Sequence, residues 1–228
     1  MFWALLFIVL ALCAFLPGLW VKQVIRKYSE PADRYREQGT GAELARHLLD
    51  RFGLESVAVE ETPAGDHYDP QARAVRLTPD NYAGYSLTAV TIAAHEVGHA
   101  IQDARGESLF KARQALARGA MVGERLAGIL LIAAPVVLVL TRVPQASAVT
   151  IMIGALSMAL GTLVHLVTLP VELDASYGKA LPILKEGYLH DEDVQHAERI
   201  LKAAAFTYVA GSLASLLNLG RWIAVLRR

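Results

Sequence analysis

Residues 2–21, FWALLFIVLALCAFLPGLWV, run without a charged side chain. A helix needs about 20 apolar residues to cross a hydrocarbon core of roughly 30 Å, so this run predicts a first transmembrane helix over residues 1–21. Three later apolar segments repeat the pattern: 126–141, which contains Pro135, then 148–169 and 203–222, predicting transmembrane helices two, three and four. The charges gather between these runs. Only 19% of residues are charged against 54% hydrophobic, where a soluble domain carries roughly 25% charged. That excludes an ordinary soluble globule, a disordered chain and a coiled coil. The net charge of +0 gives no reason to expect a nucleic-acid partner. The lone Cys13 excludes a disulfide framework and a zinc ribbon.

No basic residue precedes the first run, while Lys22, Arg26 and Lys27 follow it. This predicts an uncleaved anchor rather than a signal peptide. Lys22, Arg26, Lys27, Lys111, Arg113, Arg118 and Arg125 all fall between the first two runs, against Arg142 in the short connection after the second. The positive-inside rule then places the long first loop in the cytoplasm of a multi-pass protein of the cell membrane.

Within that loop, Thr40 caps a predicted helix over 42–52 that puts Leu44, Ala45, Leu48 and Leu49 on one face. Val57 and Val59 mark a short strand and residues 74–77 a second, predicted to pair as a hairpin. Ser86 caps a helix over 86–101. His47 and His67 read as surface or interface histidines.

The helix after Ser86 carries His95-Glu96-Val97-Gly98-His99. Residues four apart share a helix face, so His95 and His99 can each offer a ring nitrogen to one metal ion. Glu96, beside them, is placed to take a proton from water at that ion. Zn2+ is the metal that this ligand type favours. Gly98 leaves room above the metal. A hydrolytic zinc needs a third protein ligand. Glu172, two residues after Pro170, completes a His2Glu set, and carboxylates at a membrane boundary are costly unless paired or used. Asp174 is placed to orient a ligand histidine. His165, His190 and His196 are accessory candidates, as further ligands, hydrogen-bond donors or plain structural histidines.

Tyr68-Asp69-Pro70, Ala74 to Pro79, Ala93 to Gln102 and Leu169 to Ser176 together resemble the YugP-like neutral zinc metallopeptidases, which are membrane-anchored bacterial proteins. The likeness runs over nearly the whole chain. It is more distantly similar to the integral-membrane gluzincins of the HtpX type, in which a later helix gives a glutamate ligand followed by alanine and aspartate three and four residues on. The resemblance implies Glu172 as the third ligand, with Ala175 on the alanine and Ser176 where the aspartate would stand. The place beside the ligands is thus open between Asp174 and Ser176. It also implies an extended substrate beside the metal helix, for which the strand at Val75 and Leu77 is the natural edge.

The expected fold is mainly α, a polytopic helical membrane protein with a small α+β zincin-like metallopeptidase domain. Its organisation reads as transmembrane helix 1–21, cytoplasmic zinc-peptidase domain 22–125, transmembrane helices 126–141 and 148–169, a cytoplasmic segment 170–202 completing the zinc site, and transmembrane helix 203–222. The expected function is a membrane-bound zinc endopeptidase acting on a protein or peptide, a membrane protein among the candidates, at the surface of the lipid bilayer. The alternative is a non-catalytic membrane adaptor or partner subunit with a structural metal. The sequence says nothing of oligomeric state.

Overall fold

The computed structural model describes residues 16–142, 145, 149, 152, 163–164 and 166–206. Contacts divide the chain into two compact units: Leu16–Phe110 with Pro170–Thr207, and Met1–Phe15 with Lys111–Leu169 and Tyr208–Arg228. The first of these holds the chemistry.

That unit opens with helix α1 (16–28) and a run of turns. Helix α2 (Gly41–Arg51) starts at a capping box, in which the Thr40 hydroxyl accepts from the Glu43 amide and the Glu43 carboxylate accepts from the Thr40 amide. It buries Leu44, Ala45, Leu48 and Leu49, the face expected from their spacing.

Three short strands follow: β1 (Ala58–Glu61), β2 (His67–Asp69) and β3 (Ala74–Leu77). They form one sheet in the order β1-β3-β2, with β1 parallel and β2 antiparallel to β3. The expected hairpin between the first and last strands is therefore replaced by a parallel pair, with Val59 opposite Val75. The true hairpin is β2 with β3. As the central strand, β3 is paired on both sides and has no edge to offer an extended substrate.

A single turn of helix, α3 (Pro79–Tyr82), leads to α4 (Leu87–Ala104), whose Ser86 cap accepts from the Ala89 amide. Every residue of α4 from Leu87 to Gln102 is buried. Such a helix is enclosed on all sides, here by α2, α3 and the sheet. Helix α5 (Ser108–Thr141) then runs for 34 residues. After it come α6 (166–173), a π-helix (Asp174–Ala180), α7 (Leu181–Lys185), a 3-10 turn (Asp191–Asp193) and α8 (194–206). The π-helix and α7 also pack on α4.

The expectation of a polytopic helical membrane protein is corrected here. The fold is mostly helical with one small sheet, but among the described residues no helix is long and apolar enough to cross a membrane. Helix α5 shows the physical reason. Its first 18 residues carry Lys111, Arg113, Arg118, Glu124 and Arg125, and the uncharged remainder, about 16 residues, rises only about 24 Å against the roughly 30 Å required. The described part of the first expected span, 16–21, continues within α1 into Lys22, Arg26 and Lys27. The rest of that span, most of 148–169, and 203–222 from residue 207 onward lie outside the described residues.

Candidate metal centre

The enclosure of α4 raises a problem that its sequence creates. His95, Glu96, His99 and Gln102 are all buried polar groups, and each costs free energy unless it is partnered. The chain answers by laying Pro170–Ala180 across the helix. Gly98 is what permits the approach: a Cβ there would lie 2.8 Å from the Ala175 carbonyl oxygen. The room that Gly98 leaves is thus filled by backbone rather than left open above a metal.

Glu172 is 1% exposed and sends Oε2 to 3.2 Å from His95 Nε2 and 3.3 Å from His99 Nε2. The donor atoms of these three buried side chains all lie within 4.8 Å of one another. Burial alone would push the Glu172 carboxyl up, but the charges and hydrogen bonds of His99 and His95 outweigh it and hold the group well below the usual carboxylate range. Two imidazoles and a carboxylate converging at this spacing are a donor set for zinc. The residues present therefore fit the ion.

Each histidine also has a partner on its far side. His95 Nδ1 lies 3.2 Å from Ser176 Oγ, and His99 Nδ1 lies 2.9 Å from Gln102 Oε1. Gln102 in turn donates to the Val171 carbonyl at 2.9 Å and to Asp174 Oδ2 at 2.7 Å. Asp174 is paired with Lys179, which reaches Glu107 at 3.0 Å. Burial raises the Asp174 carboxyl, yet the hydrogen bonds from Lys179 and Gln102 prevail and hold it down. Asp174 and Ser176 thus both stand behind the histidines: Ser176 touches His95 directly, and Asp174 reaches His99 only through Gln102.

Sequence reasoning assigned no role to Gln102. The available signal was its position, three residues after His99 and so on the same face of an otherwise apolar helix. The π-helix was equally unforeseen. Its wide turn, of the kind often found at functional sites, sets Asp174 and Lys179 five apart and in contact.

The accessory histidines are placed elsewhere. His190 sits against the Tyr35 ring, at 5.2 Å between centroids. His196 stacks on Tyr28 and lies 3.3 Å from Asp193. His165 lies outside the described residues. A cavity of about 440 Å³ adjoins the centre, lined in part by Gln102, Phe110, Pro170, Val171 and Asp174.

Residues 3–227 match the protein family described as "Putative neutral zinc metallopeptidase". The chain is also 34% identical over 228 residues to the "Putative membrane protease YugP" of Bacillus subtilis (strain 168), covering 97% of this chain and 96% of that protein. No solved structure matches the chain. With the match spanning almost every residue and a zinc-binding donor set at the centre of the fold, this chain belongs to the neutral zinc metallopeptidase family.

Proposed function

We propose that this protein is a membrane-associated zinc endopeptidase in which His95, His99 and Glu172 hold the metal and Glu96 is the general base. The observation that carries this reading is the convergence of three buried donor atoms within 4.8 Å from segments more than seventy residues apart in the chain. A zinc ion held there supplies Lewis acidity toward water and the scissile carbonyl. Glu96 follows His95 directly on α4, so its carboxylate is carried on the same rigid helix as two ligands. It takes the proton of the attacking water and returns it to the departing amine. The neighbouring cavity, with Phe110 and Pro170 in its wall, has room for an apolar side chain of the peptide.

Membrane association is supported by the name of the Bacillus relative and by apolar side chains left in solvent, among them Leu19 at 62% and Val139 at 74% exposed. A site on a membrane-associated chain favours protein substrates at or near the bilayer surface.

The test is zinc content by mass spectrometry, with cleavage of unfolded casein, in wild type, Glu96→Gln and Glu172→Ala. One zinc per chain is expected in wild type. Glu96→Gln should keep the metal while cleavage falls by about 10²–10⁴-fold, and Glu172→Ala should bind zinc weakly. Undiminished cleavage by a folded Glu96→Gln protein overturns the assignment of the base. A zinc-loaded wild type that cleaves no protein substrate, membrane-associated or unfolded, favours the adaptor alternative.

A further inference from the structure

Gln102 is 1% exposed, and the hydrolytic chemistry above does not use it. Its amide orientation is fixed by its neighbours. The Val171 carbonyl and the Asp174 carboxylate can only accept, so Nε2 must face them, at 2.9 and 2.7 Å. Oε1 is thereby turned to His99 Nδ1 at 2.9 Å. An amide oxygen has no proton to give, so the proton of this contact resides on His99 Nδ1. Nε2, the nitrogen that faces Glu172 at 3.3 Å, is thereby the one left for a metal to bind. Ser176 exerts no such control over His95, because a hydroxyl donates or accepts as required.

We propose that Gln102 is the positioning residue of the metal centre, selecting the metal-binding tautomer of His99 and holding the backbone that presents Glu172. The proposal rests on the reading that His95, His99 and Glu172 bind zinc. The second half of the role follows from Val171, whose carbonyl is clamped by Gln102 and whose next residue is Glu172. One side chain thus fixes a ligand on its own helix and a ligand from a distant segment. Asp174 keeps the amide from turning over, and Lys179 keeps Asp174 in place, since Lys179 is itself 6% exposed and anchored to Glu107.

The experiment uses the full chain in detergent. Long-range ¹H–¹⁵N spectra of the metal-free protein report the imidazole tautomers, and chelator competition gives the zinc dissociation constant. Wild type should show His99 protonated on Nδ1. Gln102→Met, close in shape but unable to hydrogen-bond, should mix the tautomers and weaken zinc by about 10–100-fold. The exchange Gln102→Glu with Asp174→Asn restores an acceptor facing His99, held by an amide behind it. It should keep the Nδ1–H signal, while the Val171 carbonyl loses its donor, so zinc is expected to stay weaker than in wild type. Zinc binding by Gln102→Met within threefold of wild type, with the Nδ1–H signal unchanged, overturns the proposal. So does an exchange variant whose Nδ1–H signal is no stronger than in Gln102→Met. If Gln102→Met does not fold, the exchange variant decides alone: a wild-type Nδ1–H signal supports the role, and its loss rejects it. His99→Ala is the control for the underlying site. Unchanged zinc there overturns the ligand assignment together with this proposal, whereas weakened zinc in His99→Ala with unchanged zinc in Gln102→Met rejects the positioning role by itself.

Discussion

At the scale of single residues, the centre depends on one missing side chain as much as on the ligands present. A methyl group on residue 98 would meet the Ala175 carbonyl at 2.8 Å, and a backbone oxygen in a packed segment yields little. Gly98→Ala is therefore expected to destabilise the metal-free protein by about 1–3 kcal/mol and to weaken zinc by moving Glu172 away from the histidines. Denaturant titration and chelator competition check the two effects. The histidine pair was legible in the sequence because four-residue spacing on an apolar helix has few other uses. Glu172 was legible as a carboxylate in an expensive place and through the family resemblance. Gln102 was not legible, because its partners Val171 and Asp174 come from a segment that meets α4 only in the folded chain.

Elements come together through polar clamps as well as through the core. The 3-10 turn before α8 is held to the turns after α1 by Asp193, which accepts from Arg34 Nε at 2.5 Å and from the Tyr35 hydroxyl at 2.7 Å. Burial raises the Asp193 carboxyl, but the hydrogen bonds from Arg34 and Tyr35 prevail and hold it below its usual range. A depressed folded value contributes stability above the ordinary carboxylate pKa of about 3.9, and that contribution is lost as pH falls toward the folded value. Asp193→Asn is expected to cost about 1.5–3 kcal/mol at neutral pH and to flatten the loss of stability below about pH 4. Equilibrium unfolding from pH 7 down to about pH 3 measures both. Caps and periodicity made α2 and α4 legible as elements. The sheet was misread because β2 has three residues, too few for alternation to register, and without it the neighbouring strands default to a hairpin. The π-helix carries no compositional mark in Asp174–Ala180.

For the molecule as a whole, zinc held by His95, His99 and Glu172 would join α4 to a segment beginning some seventy residues later, so binding it would be coupled to folding of the unit that contains both. A ligand at 100 times its dissociation constant stabilises by about 2.7 kcal/mol. Stripping zinc with a chelator should therefore lower the thermal midpoint of wild type, while Glu172→Ala should respond little. Scanning calorimetry with and without chelator tests this. At this scale the sequence was most misleading. Hydropathy marked four runs as spans, and the fully described one, 126–141, is the apolar end of a longer helix α5, charged before it and too short on its own to cross a membrane. The family, by contrast, was legible from its motifs, because they report the chemistry of one site and that site assembles as its spacing requires.

Two imidazoles and one carboxylate of this chain are the proposed protein ligands of the metal. Zinc K-edge X-ray absorption of the loaded wild-type protein tests this assignment directly. The expected spectrum has two imidazole nitrogens at about 2.0–2.1 Å and oxygen at about 2.0–2.2 Å, with an imidazole contribution that halves in His99→Ala. A third imidazole, a sulfur ligand, or a spectrum unmoved by His99→Ala would contradict it.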